Sequence, residues 1–181
     1  MREPARRNSR ASRSVGAVNA TCPDCGRPLD SHDQHVRFAL PDAVLAAGLT
    51  AESEDVWFAG ESARQADFMA AKGVGFFVRS LVPVRLTGGH LVTYGVWIDA
   101  DEEAVKHAHT EWNAASYSDL VIEGRLANNL APWDVYGTEV TARPRETNEI
   151  PYVSSSSDWS MQAVLNEVWP HESVLATLPT P

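Results

Sequence analysis

The two cysteines of this chain stand three positions apart, in Cys22-Pro23-Asp24-Cys25-Gly26, and they are its strongest chemical signal. Two cysteines separated by two residues and followed by glycine form a knuckle whose turn aims both thiolates and nearby backbone amides at one ion. Zinc takes four ligands, and His32 and His35 follow closely enough to complete the pattern C-x2-C-x6-H-x2-H. Cys22, Cys25, His32 and His35 are therefore the candidate metal ligands, with zinc as the expected cofactor. That spacing is not the familiar finger spacing, and two other readings stay open. C-P-x-C also has the look of glutaredoxin-like redox motifs, which need a strand before and a helix after to lower the first thiol's pKa. Gly26 and Pro28 oppose a helix there. The third reading is a turn with no chemistry. A disulfide stapling distant segments is not available to such a pair, so the cysteine usage fits a reducing compartment.

A second constellation is Arg79, Arg85 and Trp97. A guanidinium facing an indole offers cation–π stacking and a fork of donors, so these three form a candidate ligand- or partner-binding face. The duller reading is a cross-strand pair covering the sheet. His107 and His109 lie beside Glu103 and Glu111, but positions i and i+2 point about 200° apart on a helix and cannot share a metal through it. Six tryptophans (57, 97, 112, 133, 159 and 169) read mainly as core, with a binding surface as the alternative. No Walker loop, GxGxxG, GxSxG or HExxH is present, which removes the usual reasons to propose an enzyme.

The clearest element signal is residues 76–99, where two β-rich runs flank Gly88-Gly89 and read as a hairpin. A three-residue loop, Thr87–Gly89, pairs Leu86 with His90, Val84 with Val92, Val82 with Tyr94 and Val78 with Ile98. That register collects one apolar face and sets Arg79 across from Trp97 on the other. Helices are predicted over 41–48, opened by Pro41 and ended by Gly48, and over 101–112, with acids in the first turn. A last helix is predicted over 158–168, capped by Asp158 and ended by Pro170. Strands are expected near 35–40, 55–59, 119–127, 135–142 and 150–153, while 60–75 reads as helix or loop. The expected class is α+β: a mainly antiparallel sheet built around the 76–99 hairpin, with a few helices packed on one face.

At 181 residues the chain suits one domain, expected over 21–181, preceded by a disordered basic tail over 1–20. Residues 1–14 carry five arginines against Glu3, so the net charge of −9 leaves −13 on the remainder. An acidic body repels nucleic acid, so contact with it is expected only through the tail. No apolar run approaches the roughly 18 residues needed to span a bilayer, and no apolar segment follows the basic start as a secretory signal would require. The expected location is the cytoplasm.

Six short motifs, in this order and spacing, resemble the bacterial proteins grouped as domain of unknown function 2199. They are CPDCG at 22–26, LPD at 40–42, FFVR at 76–79, VPV at 82–84, GVW at 95–97 and GRLANNLAPW at 124–133. The resemblance covers roughly residues 21–145. It implies a compact bacterial domain and marks Cys22, Cys25, Arg79 and Trp97 as family-pattern positions without assigning them roles. The expected function is a non-enzymatic protein-interaction or regulatory module, immunity-like, with a zinc-organised knuckle and a basic protein as partner. The alternative is a small-ligand-binding protein or enzyme using the Arg79/Trp97 face.

Overall fold

The computed structural model describes residues 21–178; the basic tail expected over residues 1–20 lies outside the described residues, as do residues 179–181. Strands β4 (Gly75–Leu86) and β5 (Leu91–Ala100) run antiparallel on either side of Thr87–Gly89. Their register is Val78↔Ile98, Arg79↔Trp97, Val82↔Tyr94 and Val84↔Val92, the one that gathers the apolar residues on a single face. Leu86 N–H donates to the His90 carbonyl at 2.8 Å, and the turn is made by Gly88 and Gly89 at φ of 81° and 82°.

From β5 the sheet continues antiparallel through β6 (Ile122–Leu126), β7 (Glu139–Arg143) and β8 (Tyr152–Ser156). Strand β8 then returns to β4 in parallel, with Leu81 opposite Tyr152, and closes a five-stranded barrel. Strand β1 (Gln34–Arg37) lies parallel to β5, while β2 (Val56–Ala59) and β3 (Phe68–Ala71) extend antiparallel from the start of β4. A two-residue strand, β9 (Val168–Trp169), lies parallel to the end of β4. The class is α+β with a sheet core. One edge of β4 thus serves three neighbours in turn. Arg79 N–H donates to Asp67 and Leu81 N–H to Pro151, so the next N–H on that edge would belong to residue 83. Proline stands there, in the gap between β8 and β9, where the missing donor costs no ladder bond.

Both faces of the β4–β5 ribbon are covered. On one, Val78, Val82, Val84, Val92, Tyr94 and Ile98 pack with Val105 of α2 (Glu102–Glu111), Met161 and Val164 of α3 (Trp159–Asn166), and Val174 and Leu175 of α4 (His171–Leu175). On the other, Phe77 and Trp97 pack with Met69, Ala63, Ala66 and Val44 of α1 (Asp42–Ala46). Helices confined to one face were expected; α1 takes the opposite face because the closed barrel leaves the outer side of β4–β5 apolar and in need of cover. Among the described residues no helix is long and apolar enough to cross a membrane.

Two other expectations change. Residues 60–75 form neither a helix nor a simple loop but a loop leading into β3. Pro170 does not end the last helix; α3 stops at Asn166, and Pro170 is the N-cap of α4, whose φ of −58° suits a helix start. The cap of α3 is as expected, with Asp158 Oδ1 accepting from Met161 N–H at 2.9 Å. Asp158→Ala is expected to cost about 1 kcal/mol, measured as a shift of the urea midpoint.

Candidate metal centre

The chain from Thr21 to Pro28 folds back on itself through one antiparallel bridge between those two residues. Cys22 N–H donates to the Arg27 carbonyl at 2.8 Å and Gly26 N–H to the Cys22 carbonyl at 2.9 Å. Gly26 closes the turn at φ of 70°, a left-handed conformation that a Cβ would strain. The turn points the Cys25 and Asp24 backbone amides at the Cys22 sulfur. Those amides hold the thiol's pKa below its ordinary value against the opposing effect of burial. No helix follows, as the redox motif would require: the next element is a single 3-10 turn over Leu29–Ser31.

That turn sets His32. Its Nδ1 lies 3.0 Å from the Pro28 carbonyl, which can only accept, so Nδ1 carries the proton and Nε2 is left as a ligand. Nε2 is 3.2 Å from Cys25 Sγ. The fourth group comes from the far end of the fold. His171, the first residue of α4, places Nε2 3.4 Å from Cys22 Sγ. Thr87 Oγ1, in the β4–β5 turn, accepts the His171 backbone N–H at 3.1 Å and lies 2.8 Å from its Nδ1.

The four donor atoms of Cys22, Cys25, His32 and His171 all lie within 4.8 Å of one another. In a tetrahedron of two thiolates and two imidazoles around zinc, sulfur-to-nitrogen edges are about 3.6 Å, from bond lengths of about 2.3 and 2.05 Å. The 3.2 and 3.4 Å separations approach that edge. Cys22, His32 and His171 are buried and Cys25 is half-buried, and both imidazoles are oriented by a second hydrogen bond, the arrangement that fixes ligating histidines.

His35 is not in the cluster. It lies exposed on β1, next to Thr93 in the register with β5, because the alternation of a strand turns it outward. The position expected of it is taken by His171, for which the sequence carries no local signal: it is separated from Cys22 by 149 residues. His90, just after the turn, stacks on His32 with ring centroids 4.5 Å apart, and its Nδ1 is 3.9 Å from Asp33 Oδ1.

The family described as "Uncharacterized protein conserved in bacteria (DUF2199)" matches residues 21–164. The chain belongs to that family. No curated protein and no solved structure matches it. The DUF2199 span contains Cys22, Cys25 and His32 and stops before β9, so His171 lies beyond it. It also reaches further than the residues 21–145 expected, taking in β8 and most of α3.

The remaining DUF2199 motifs meet in the core. Asn128 Oδ1 accepts from Trp97 N–H at 2.9 Å, and its Nδ2 donates to the Leu40 carbonyl at 2.9 Å and to Asp42 at 3.1 Å. Arg79 and Trp97, expected on a binding face, are both fully buried. The Arg79 guanidinium stacks over Trp97 at 4.0 Å and donates to the carbonyls of Ala66 (2.7 Å), Ala63 (2.8 Å), Phe38 (2.9 Å) and Gly95 (3.3 Å). Burial first, and the Arg37 cation next, pull its pKa down to about 9, which leaves it charged at neutral pH. That face offers no guanidinium to a ligand because β2, β3, α1 and the 60–67 loop cover it. Arg85 is exposed and donates to the carbonyl of Asn166, the last residue of α3, where a cation complements the helix dipole. His107 is exposed, and His109 packs edge-on against Phe68 and Trp57. Of the tryptophans, 97 is core, 112, 133 and 169 pack against the core, and 57 and 159 are exposed.

Proposed function

We propose that this protein is a zinc-stabilised, non-enzymatic binding module. The observation that carries the reading is the convergence of two thiol sulfurs and two imidazole nitrogens within 4.8 Å, from segments at opposite ends of the described chain. Four protein donors complete zinc's usual shell and leave no position for substrate, the pattern of structural rather than catalytic sites. The interaction role is supported by charge. An open groove of about 620 Å³ on the barrel is lined by Asp99, Asp101, Glu123 and Glu139, with Arg125 as its cation. Together with the −9 net charge, this suits a basic protein partner.

Native mass spectrometry of the tag-free protein, with zinc supplied and no chelator, tests the metal reading. One zinc per chain is expected in the wild type and in His35→Ala, with none retained in Cys22→Ser. Retention should fall on acidification, because protons compete for both thiolates and both imidazoles. A wild type that carries no metal, or a Cys22→Ser variant that carries as much, defeats the proposal.

A further inference from the structure

Resting on the metal reading above, a second consequence concerns the segment 168–178, which carries β9 and α4 past the end of the DUF2199 span. Little within this segment holds it in place. Strand β9 pairs with β4 at two positions only, Arg85↔Val168 and Leu86↔Trp169. Helix α4 is five residues long, far below the length at which a helix sustains itself, so its order comes from docking. Docking is through Val174, Leu175 and Leu178, which are buried, and through His171.

What lies underneath is unusual for a permanent core. The rings of Tyr94 and Trp133 are 6.3 Å apart and those of Trp133 and Trp169 5.2 Å apart, making one aromatic row from the barrel to the segment. Trp133 Nε1 and Trp169 Nε1 are buried with no hydrogen-bond partner among the described residues, while the Tyr94 hydroxyl faces Thr177 of the segment. Buried polar atoms are nearly always paired, and two orphaned indoles along one seam mark a contact that gains hydration when it opens. His171 ties the segment to the N-terminal knuckle through Cys22 and to the β4–β5 turn through Thr87.

We infer that the metal is a latch for residues 168–178: through His171 it holds them over the Tyr94–Trp133 end of the barrel, and its loss releases them while the barrel stays folded. Cys22, Cys25 and His32 remain together after release, so the open state keeps three of the four donors.

Hydrogen–deuterium exchange on the full chain tests this in three samples: zinc-loaded wild type, the same protein after chelation, and zinc-loaded His171→Ala. Peptides covering 168–178 are expected to exchange about tenfold faster or more in the second and third samples, with residues 76–98 unchanged. Protection of 168–178 that survives chelation overturns the latch and leaves the metal site standing. Loss of protection in 76–98 along with it also overturns the latch, since the metal would then staple the whole barrel. Metal content is measured on the same samples; a wild type that takes up no zinc removes the metal reading, and the latch with it. Should His171→Ala fail to fold, the chelated wild type gives the readout alone.

Discussion

Replacing Arg79 by alanine is expected to destabilise the protein by at least about 5 kcal/mol, enough to leave much of it unfolded. The substitution removes a fully buried side chain and strands the carbonyls of Ala63, Ala66 and Phe38 together, while Gly95 keeps the Phe38 N–H at 3.0 Å. Each unpaired buried acceptor costs about 1–3 kcal/mol, and the cavity over Trp97 adds to that. All three carbonyls belong to the 60–67 loop and the segment after β1, which the guanidinium joins to each other and to β4. Arg79→Lys keeps the charge but not the planar fork, and is expected to lose about half as much. Urea unfolding followed by circular dichroism ranks the variants. An alanine variant within about 1 kcal/mol of wild type would mean that the guanidinium does not organise this layer.

Gly124→Ala is expected to be the next most damaging change, at about 3 kcal/mol or more. A Cβ at Gly124 would stand 2.2 Å from the Asp99 carbonyl oxygen and 2.7 Å from Ile98 Cγ2. The first neighbour is backbone of β5, so relief requires the β5–β6 seam to part, a seam made of the pairs Ile98↔Leu126 and Asp99↔Arg125 and the Ala127 N–H bond to the Trp97 carbonyl. The expected signature is a lower thermal midpoint with faster amide exchange in 122–126. A midpoint within about 2 °C of wild type would show that the seam yields without cost.

The parts of the fold that were readable from sequence are those where one physical constraint dominates. The β4–β5 register follows from the alternation of Val78, Val82 and Val84 with Tyr94 and Val92, because a slip of one residue would bury Arg85. The knuckle is readable because Cys-x-x-Cys-Gly specifies its own turn, and α3 because Asp158 supplies its cap. Strand β3 was not readable: its residues, Phe68-Met69-Ala70-Ala71, sit in an alanine-rich stretch of good helix formers, and pairing with Phe76–Val78 overrides that preference. The outer face of β4–β5 was misread for a related reason. Its Arg79 looks like a surface residue until the covering layer is known, and that layer is built from small residues such as Ala63 and Ala66 that carry no pattern of their own.

The candidate metal site divides in the same way. Cys22, Cys25 and His32 are neighbours in sequence, and their chemistry is written in their spacing. His171 is a partner only in three dimensions, and nothing around Pro170-His171-Glu172 distinguishes it from a helix start. The choice of His35 instead follows from counting donors to four; it fails because β1 begins at Gln34 and turns His35 outward.

The 149-position separation of Cys22 and His171 also sets a schedule during synthesis. A chain made at about 5–20 residues per second delivers its thiols roughly 7–30 s before the last imidazole. Throughout that interval the newborn protein presents Cys22, Cys25 and His32 with no fourth partner, first outside any barrel and then beside a growing one. Metal captured early would wait on a three-sided perch, and the arrival of His171 would be the last act of translation to bear on it. The candidate site is thus sealed only in chains that were read through His171.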